Sequence, residues 1–290
     1  MKIIFSTFLL FIFINCAPAL KIASGNPDGT YHKMAQSLAA ETDLKLQVVS
    51  TSGSGENLAL LKNKKVDLAF CQLDILQNLV FSDPEIALNV YIIEELYREE
   101  VHLIQKKSKP LRWPLQEDYK IATGPVNSGT SATAMILLGY GEADLKRLML
   151  INSDPTAALK KLNSGELDGF FLVGGAPFPL LKNNIADISL LEPPEKLLET
   201  LQAGTFFYRK ATIPKETYPW LAKPATTLSV SSVLLSSKEL PDDQIEKVIN
   251  QIHDNKDKLI EVHPKWQELN KSGIKDITFQ LQDFVHPYRR

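Results

Sequence analysis

Short apolar runs bounded by turn-forming residues alternate along this chain with stretches whose apolar positions recur every three or four residues. Lys21-Ile22-Ala23-Ser24 reads as a strand, followed by the turn Gly25-Asn26-Pro27-Asp28-Gly29-Thr30. From Tyr31 to about Thr42, Met34, Ala35 and Leu38 share one face, which predicts a helix. Leu44 to Ser50 alternates in part, as a second strand does. Thr51-Ser52-Gly53-Ser54-Gly55 then opens a helix carrying Leu58 and Leu61, and Asn63-Lys64-Lys65 ends it. Val66 to Cys71 is a compact third strand running into Gln72 and Asp74. This β-turn-α-β-turn-α-β order is that of a parallel or mostly parallel sheet.

Two further strand-like runs follow, Val90 to Leu96 and Val101 to Lys106, and a loop with Pro110 and Pro114 marks a boundary. The pattern then restarts. Tyr119 to Thr123 is a strand, Gly124-Pro125-Val126-Asn127-Ser128-Gly129-Thr130 a small-residue turn, and Ser131 to Leu138 a helix. Leu148 to Asn152 is a strand. Asp154-Pro155 caps a helix to Leu162, and Leu167 to Val173 is a strand leading into Gly174-Gly175-Ala176-Pro177.

The segments LLKNKKVDLAFCQ (60–72) and KLNSGELDGFFLV (161–173) match as helix end, polar turn and apolar-Asp-x-x-Phe strand. Their place in two successive α/β series predicts two similar lobes. Asp67 and Asp168 are expected to be structural, holding the turn through backbone N–H groups rather than doing chemistry. The chain is expected to leave the first lobe near 101–107 and return near 206–212. A strand over Thr226 to Leu235 and an amphipathic helix over Asp242 to Leu259 then complete the first lobe. The expected organisation is residues 20–105 with 210–290 in lobe one and 106–209 in lobe two. The crossings make a hinge between them.

Before this pattern stands Met1-Lys2, an almost wholly apolar run from Ile3 to Ile14, and Ala17-Pro18-Ala19. The run is short for a membrane span, and the small-x-small triplet fits a secretory cleavage site, so export to the periplasm with cleavage after Ala19 is expected. An uncut anchor is one alternative. A lipidated Cys16 is another, against which Phe13-Ile14-Asn15 lacks the small residues that such processing prefers.

Composition narrows the function. The formal net charge is −2 and no basic stripe appears, which points away from nucleic acid. Cys71 is the only cysteine after the expected cleavage site, reading as a core residue, and no cysteine spacing suits a metal. His32, His102, His253, His263 and His286 are scattered, no Gly-x-Ser-x-Gly elbow is present, and Gly53-Ser54-Gly55 lacks the lysine of a phosphate loop. A non-enzymatic, cofactor-free protein is expected, although enzymes also use two-lobed folds.

The motifs Ser24-Gly-Asn-Pro-Asp-Gly-Thr-Tyr31, Ser52-Gly-Ser-Gly-Glu-Asn57, Val66-Asp-Leu-Ala-Phe-Cys-Gln-Leu-Asp74, Gly124-Pro-Val-Asn-Ser-Gly-Thr130, Gly165-Glu-Leu-Asp168, Gly174-Gly-Ala-Pro177 and Ala211-Thr-Ile-Pro-Lys-Glu-Thr-Tyr218 occur in one order across nearly the whole chain. In this the sequence resembles the TAXI branch of the solute receptors of TRAP transporters. The resemblance implies a type II periplasmic-binding-protein fold. It also implies a monomeric receptor that delivers a small organic anion, a carboxylate or amino acid, to the membrane subunits of a TRAP transporter. Asp28 and His32 depart from the family, which usually has glycine and tyrosine there. A binding subunit of an ABC importer, or a sensor, is the alternative on the same fold.

In such a fold the cleft would be lined by Gly29, Thr30 and Tyr31, by Ser54 and Asn57, by Gln72 and Asp74, by Ser128, Gly129, Thr130 and Ser131, and by Gly175. Backbone N–H groups at helix N-termini and hydroxyls suit carboxylate oxygens. Tyr208, with Tyr31, would cover the ligand or pack beside it. None of the arginines lies in a turn motif, and Arg209 is the one placed to reach the cleft.

Overall fold

A computed structural model describes residues 18–83, 85–116, 118–183, 187–269, 274 and 281–289. The apolar run expected as a secretory signal, through Ala17 and with Cys16 included, lies outside the described residues, as does Arg290.

The first series forms β1 (Leu20–Ala23), α1 (Thr30–Glu41), β2 (Leu46–Val49), α2 (Ser54–Lys62), β3 (Leu68–Gln72) and α3 (Leu73–Ser82), then α4 (Glu85–Asn89). The long strand β4 (Val90–Lys106) follows. The second series forms β5 (Lys120–Ala122), α5 (Gly129–Tyr140), β6 (Met149–Ile151), α6 (Pro155–Ser164) and β7 (Gly169–Gly174). Then come α7 (Pro179–Lys182), β8 (Ile188–Leu190), α8 (Glu195–Gly204), β9 (Tyr208–Ile213), β10 (Ala225–Ser237), α9 (Asp242–Asp254) and α10 (Lys256–Val262).

All ten strands join one sheet, ordered β2-β1-β3-β10-β4-β7-β5-β6, with β8 on β4 and β9 on β10. The β1, β2 and β3 contacts are parallel, as are those of β5, β6 and β7, while β10 and β4 are antiparallel to their neighbours. The sheet curls into two lobes, one around β1–β3 and one around β5–β7, with β4 running through both. Ile22, Phe70 and Leu234 of the first lobe pack under Met34, Leu38, Ile249 and Trp266. Ala122, Phe170 and Leu172 of the second pack under Leu159, Leu162 and Leu181.

Local chemistry explains the helix starts. Asp154 caps α6 by accepting from Ala157 N at 3.0 Å, Pro155 opens it, and Gly165 closes it at φ 84°, a left-handed angle suited to glycine. The internal match extends to bonding. The Asp67 carboxylate accepts from Lys21 N at 2.7 Å, and Asp168 accepts from Lys120 N at 2.8 Å. Each aspartate therefore fastens the start of the neighbouring parallel strand, β1 or β5.

Three elements differ from expectation. The runs 90–96 and 101–106 are one strand of 17 residues, because Arg98 and Glu100 between them find partners elsewhere in the chain. Arg98 donates to the hydroxyls of Ser229 at 3.2 Å and Ser231 at 2.6 Å and to the carbonyls of Phe207 and Ser229. Burial lowers its pKa to about 10. Glu100 accepts from Lys265 Nζ and from Ala176 N. The second crossing also differs: β9 bonds along the N-terminal half of β10, and β10 itself carries the chain back against β3. The helix expected over 242–259 breaks at Asn255, whose side chain donates to Gln251 O at 3.0 Å and whose backbone turns to φ −104°, ψ 14°.

Candidate functional site

Glycine-rich turns bring the N-termini of α1, α2 and α5 to the junction of the lobes. No side chain caps α1 at Gly29 or α2 at Gly53, whereas Ser128 caps α5 by accepting from Ser131 N at 3.1 Å. Uncapped first turns leave N–H groups and a positive partial charge directed at whatever lies in front of them. Gly53, at φ 122°, takes a conformation that residues with a side chain rarely adopt, and it packs against Ser128 and Gly129.

The lobes touch at several points. Gly55 N donates to Asn127 O at 3.1 Å, and Thr30 Oγ1 donates to Gly175 O at 3.1 Å. The Gln72 amide is pressed so close to Gly129 that a Cβ there would lie 1.4 Å from Gln72 Oε1. Asp74, fully buried at the start of α3, accepts from Thr133 Oγ1 at 2.8 Å on α5, from Tyr208 OH at 2.7 Å on β9, and from Ile75 N at 2.8 Å. Burial raises its pKa, and these three donors offset part of the rise.

Between the lobes lies a cavity of about 110 Å3, walled on one side by Gly29, Thr30, Tyr31, Ser54 and Gln72 and on the other by Ser128, Gly129, Thr130, Val173 and Gly174. Its floor holds two side chains from β4, Tyr97 and Glu99. Being two apart on a strand, they share a face. In register beside them stand Ser232 of β10, paired with Tyr97, and Gln72 of β3, paired with Ser232. A larger cavity of about 530 Å3 adjoins, sharing Asn26, Gly29, Pro155, Leu172 and Phe178 and adding Asp28, Leu159 and Leu180.

The cavity floor is unusual in its bonding. Tyr31 OH, Tyr97 OH, both amide atoms of Gln72, Glu99 Oε1 and Ser232 Oγ are all buried without a hydrogen-bond partner within the chain. Folded proteins pair nearly all such atoms, so a cluster on one wall is a feature to explain. Burial raises the Glu99 pKa to about 8, and the Asp74 and Glu100 carboxylates add to the rise. The Tyr31 and Ser232 hydroxyls lie near enough to offset some of it, without a well-aligned hydrogen bond to the carboxylate. Burial likewise pushes Tyr31 and Tyr97 well above the usual phenol range. Among the described residues no lysine, arginine or histidine lines the cavity.

The sequence-derived candidates therefore separate. Gly29, Thr30, Tyr31, Ser54, Gln72, Ser128, Gly129 and Thr130 line the cavity. Ser54 Oγ also accepts from Gln72 N at 3.0 Å, and Thr130 Oγ1 accepts from Val173 N at 3.1 Å. Asn57 does not line it: its amide spans Ser24 O and Phe70 O, and its oxygen accepts from Thr51 Oγ1. Asp74 and Tyr208 bond each other behind the wall, Ser131 contributes its N–H to the Ser128 cap, and Gly175 packs against Thr30, Tyr97 and Lys265. Arg209 is exposed and bonds Tyr208 O. His32 turns to Ser24 Oγ at 3.0 Å, and Asp28 borders only the outer cavity. Tyr97 and Glu99 were not anticipated. The one signal is a tyrosine and a glutamate two apart in YREE, which otherwise reads as a break between strands.

Two α/β lobes on a shared curled sheet, closed over a small polar cavity, are the fold of the periplasmic solute-binding proteins. A ligand-binding component of an ABC-type import system from Staphylococcus aureus superposes with a TM-score of 0.54 at 13% identity, over 93% of this chain and 97% of that one. ArgBP from T. maritima gives 0.51 at 12% identity, over 85% and 93%. The periplasmic sulfonate-binding protein SsuA from Methylobacillus flagellatus gives 0.51 at 13%, over 94% and 92%. The chain belongs to the NMT1-like family, whose model matches residues 22–280. Among the described residues no helix is long and apolar enough to cross a membrane, and no three His, Cys, Asp or Glu side chains converge as metal ligands.

Proposed function

We propose that this chain is an extracytoplasmic solute receptor that captures a small organic anion, a carboxylate or an amino acid, between its lobes. The observation that carries this is the inter-lobe cavity, with uncapped helix N-termini on its walls and buried polar side chains that lack partners. A ligand between the walls supplies those partners and bonds both lobes at once. Its size is bounded: an engineered cavity of about 150 Å3 holds benzene, so the inner cavity of about 110 Å3 suits a head group of about half a dozen heavy atoms. The lobes we infer are 20–105 with the chain from the C-terminal half of β10 onward, and the segment from 106 through β9, whose Ile213 and the following Tyr218 pack in the second core, hinged where β4 and β10 cross.

Delivery to a TRAP transporter is supported by the order of the turn motifs. Delivery to an ABC importer is supported by the likeness to the Staphylococcus import component. Co-purification from crosslinked membranes separates them: TRAP subunits arrive without an ATPase, ABC subunits with one.

Gentle purification followed by native mass spectrometry is expected to show one small molecule retained at one per chain. That ligand should bind Ser128→Asp at least tenfold more weakly by calorimetry. Aspartate can accept from Ser131 N as Ser128 does, so the cap is kept, although the bond that Ser128 donates to Pro125 O is lost, while a negative charge enters the cavity. Equal affinity would place the anion site elsewhere.

A further inference from the structure

The cavity floor carries more information than its helix N-termini. On the two facing walls are positive helix ends, those of α1 and α2 on one and that of α5 on the other. On the floor is a carboxylate, Glu99, 3% exposed, ringed by Tyr31, Tyr97 and Gln72, each at most 9% exposed. Helix ends alone would suit any carboxylate. Once deprotonated, a buried carboxylate with no cation among the described lining residues does not suit a second anion, because two negative charges would meet in a space from which water is excluded.

We propose, resting on the receptor reading above, that Glu99 with the Tyr31 and Tyr97 hydroxyls seats a protonated amine, so that the ligand class is the α-amino acids rather than simple carboxylates or dicarboxylates. The α-carboxylate faces the starts of α1, α2 and α5, and the ammonium faces Glu99. An ammonium has three N–H donors. Glu99 Oε1, Tyr31 OH, Tyr97 OH and Gln72 Oε1 are four acceptors without a partner in the chain. The pair is neutral overall, which removes the cost of leaving Glu99 charged and alone. A side chain larger than a methyl group passes towards the outer cavity, whose wall includes Leu159, Leu172, Phe178 and Leu180.

The groups around Glu99 leave this role open. Tyr31 comes from α1, Tyr97 from the same strand, Ser232 from β10 and Cys71 from β3, while Gly174 of β7 stands opposite. The charged neighbours are the Asp74 and Glu100 carboxylates. Lys265, the cation at Glu100, is held by Glu100 and Glu268 at 2.6 Å each. With the lobes closed and no ligand seated, burial raises Glu99 to about 8, so seating an ammonium below that pH expels a proton. Apparent affinity should then weaken about 50-fold from pH 8 to pH 6, following the deprotonated fraction.

The test uses the chain from Leu20, unfolded and refolded to strip retained ligand. It is titrated with the twenty common L-amino acids and with the des-amino counterpart of each that binds, such as propionate for alanine or glutarate for glutamate. The expected result is at least one amino acid that binds 100-fold or more tighter than its des-amino counterpart at pH 8. Glu99→Gln should lose at least 50-fold in affinity for that amino acid, change less than threefold towards the des-amino compound, and show no pH dependence from 6 to 8. Its ligand-free melting temperature at pH 9 should equal or exceed the parent's, because a buried charge is gone. Equal binding of amino and des-amino compounds by the parent, or an unchanged Glu99→Gln, overturns the amine subsite and leaves the receptor standing. Binding of no panel member overturns the subsite. If, in addition, nothing co-purifies, the receptor reading falls with it.

Discussion

Asp74→Ala is expected to lower the unfolding free energy by about 2–4 kcal/mol, the largest effect of any single change outside the hydrophobic core. The carboxylate is fully buried and accepts from Thr133 on α5, Tyr208 on β9 and Ile75 N in its own helix. Truncation leaves two hydroxyls and one amide without an acceptor in a dry interior, where each orphaned group costs about 1–3 kcal/mol before relaxation. Asp74→Asn should cost much less. Burial disfavours the charged form of Asp74, and an amide oxygen still accepts. Urea unfolding of parent, Ala and Asn variants measures the ranking. An Ala variant within 0.5 kcal/mol of the parent, an estimate at the level of ordinary surface changes, would show that Asp74 is not the buried tie between these elements.

Gly55→Ala should separate binding from folding. In the first turn of α2 this substitution removes backbone freedom from the unfolded chain and by itself stabilises by about 0.4–1 kcal/mol. Its Cβ, however, would stand 2.6 Å from Asn127 O, a backbone atom of the opposite lobe. A backbone contact cannot swing aside as a side-chain tip can, so the lobes must stay apart or deform at a cost of about 1–3 kcal/mol. The expected outcome is a ligand-free melting temperature at or above the parent's and an affinity about 10- to 100-fold lower. Loss of stability together with unchanged affinity would mean that the Gly55–Asn127 approach is not part of the ligand-bound state.

Much of the architecture was legible because each unit is coded locally. The period change from Ile22 to Met34 and Leu38, the Asp154-Pro155 start and the glycine turns all act within a few residues. The paired aspartates were legible for the same reason, although their partners are the Lys21 and Lys120 amides of neighbouring strands rather than their own turns. Strand β4 was not, because its charges are settled by remote residues. Arg98 finds Ser231, 133 positions on, and Glu100 finds Lys265, 165 positions on. A run such as Tyr97-Arg98-Glu99-Glu100 carries no local sign that such partners exist, so it reads as a break, and the two cavity residues within it, Tyr97 and Glu99, were missed.

The turn residues of the site were readable and their hydrogen bonding was not. Asn57 and Asp74 have the right chemistry for a ligand and the right place in the motifs, yet their polar atoms are taken up by the chain. Gln72, two residues before Asp74, and Tyr31, in the first turn motif, keep theirs unpartnered. The difference arises from the opposing strand and lobe, which a motif does not describe.

The central claim is that ligand bridges the two lobes and holds them closed. Small-angle scattering on the stripped chain from Leu20, with and without a saturating amount of the molecule retained in purification, tests it most directly. Calorimetry on the same samples fixes the stoichiometry. Closure about the β4 and β10 crossing predicts a smaller radius of gyration in the loaded protein, and a Gly55→Ala variant that stays close to the unloaded value. One ligand bound per chain with no change in radius would contradict the account, since a ligand that leaves the lobes where they were does not bridge them.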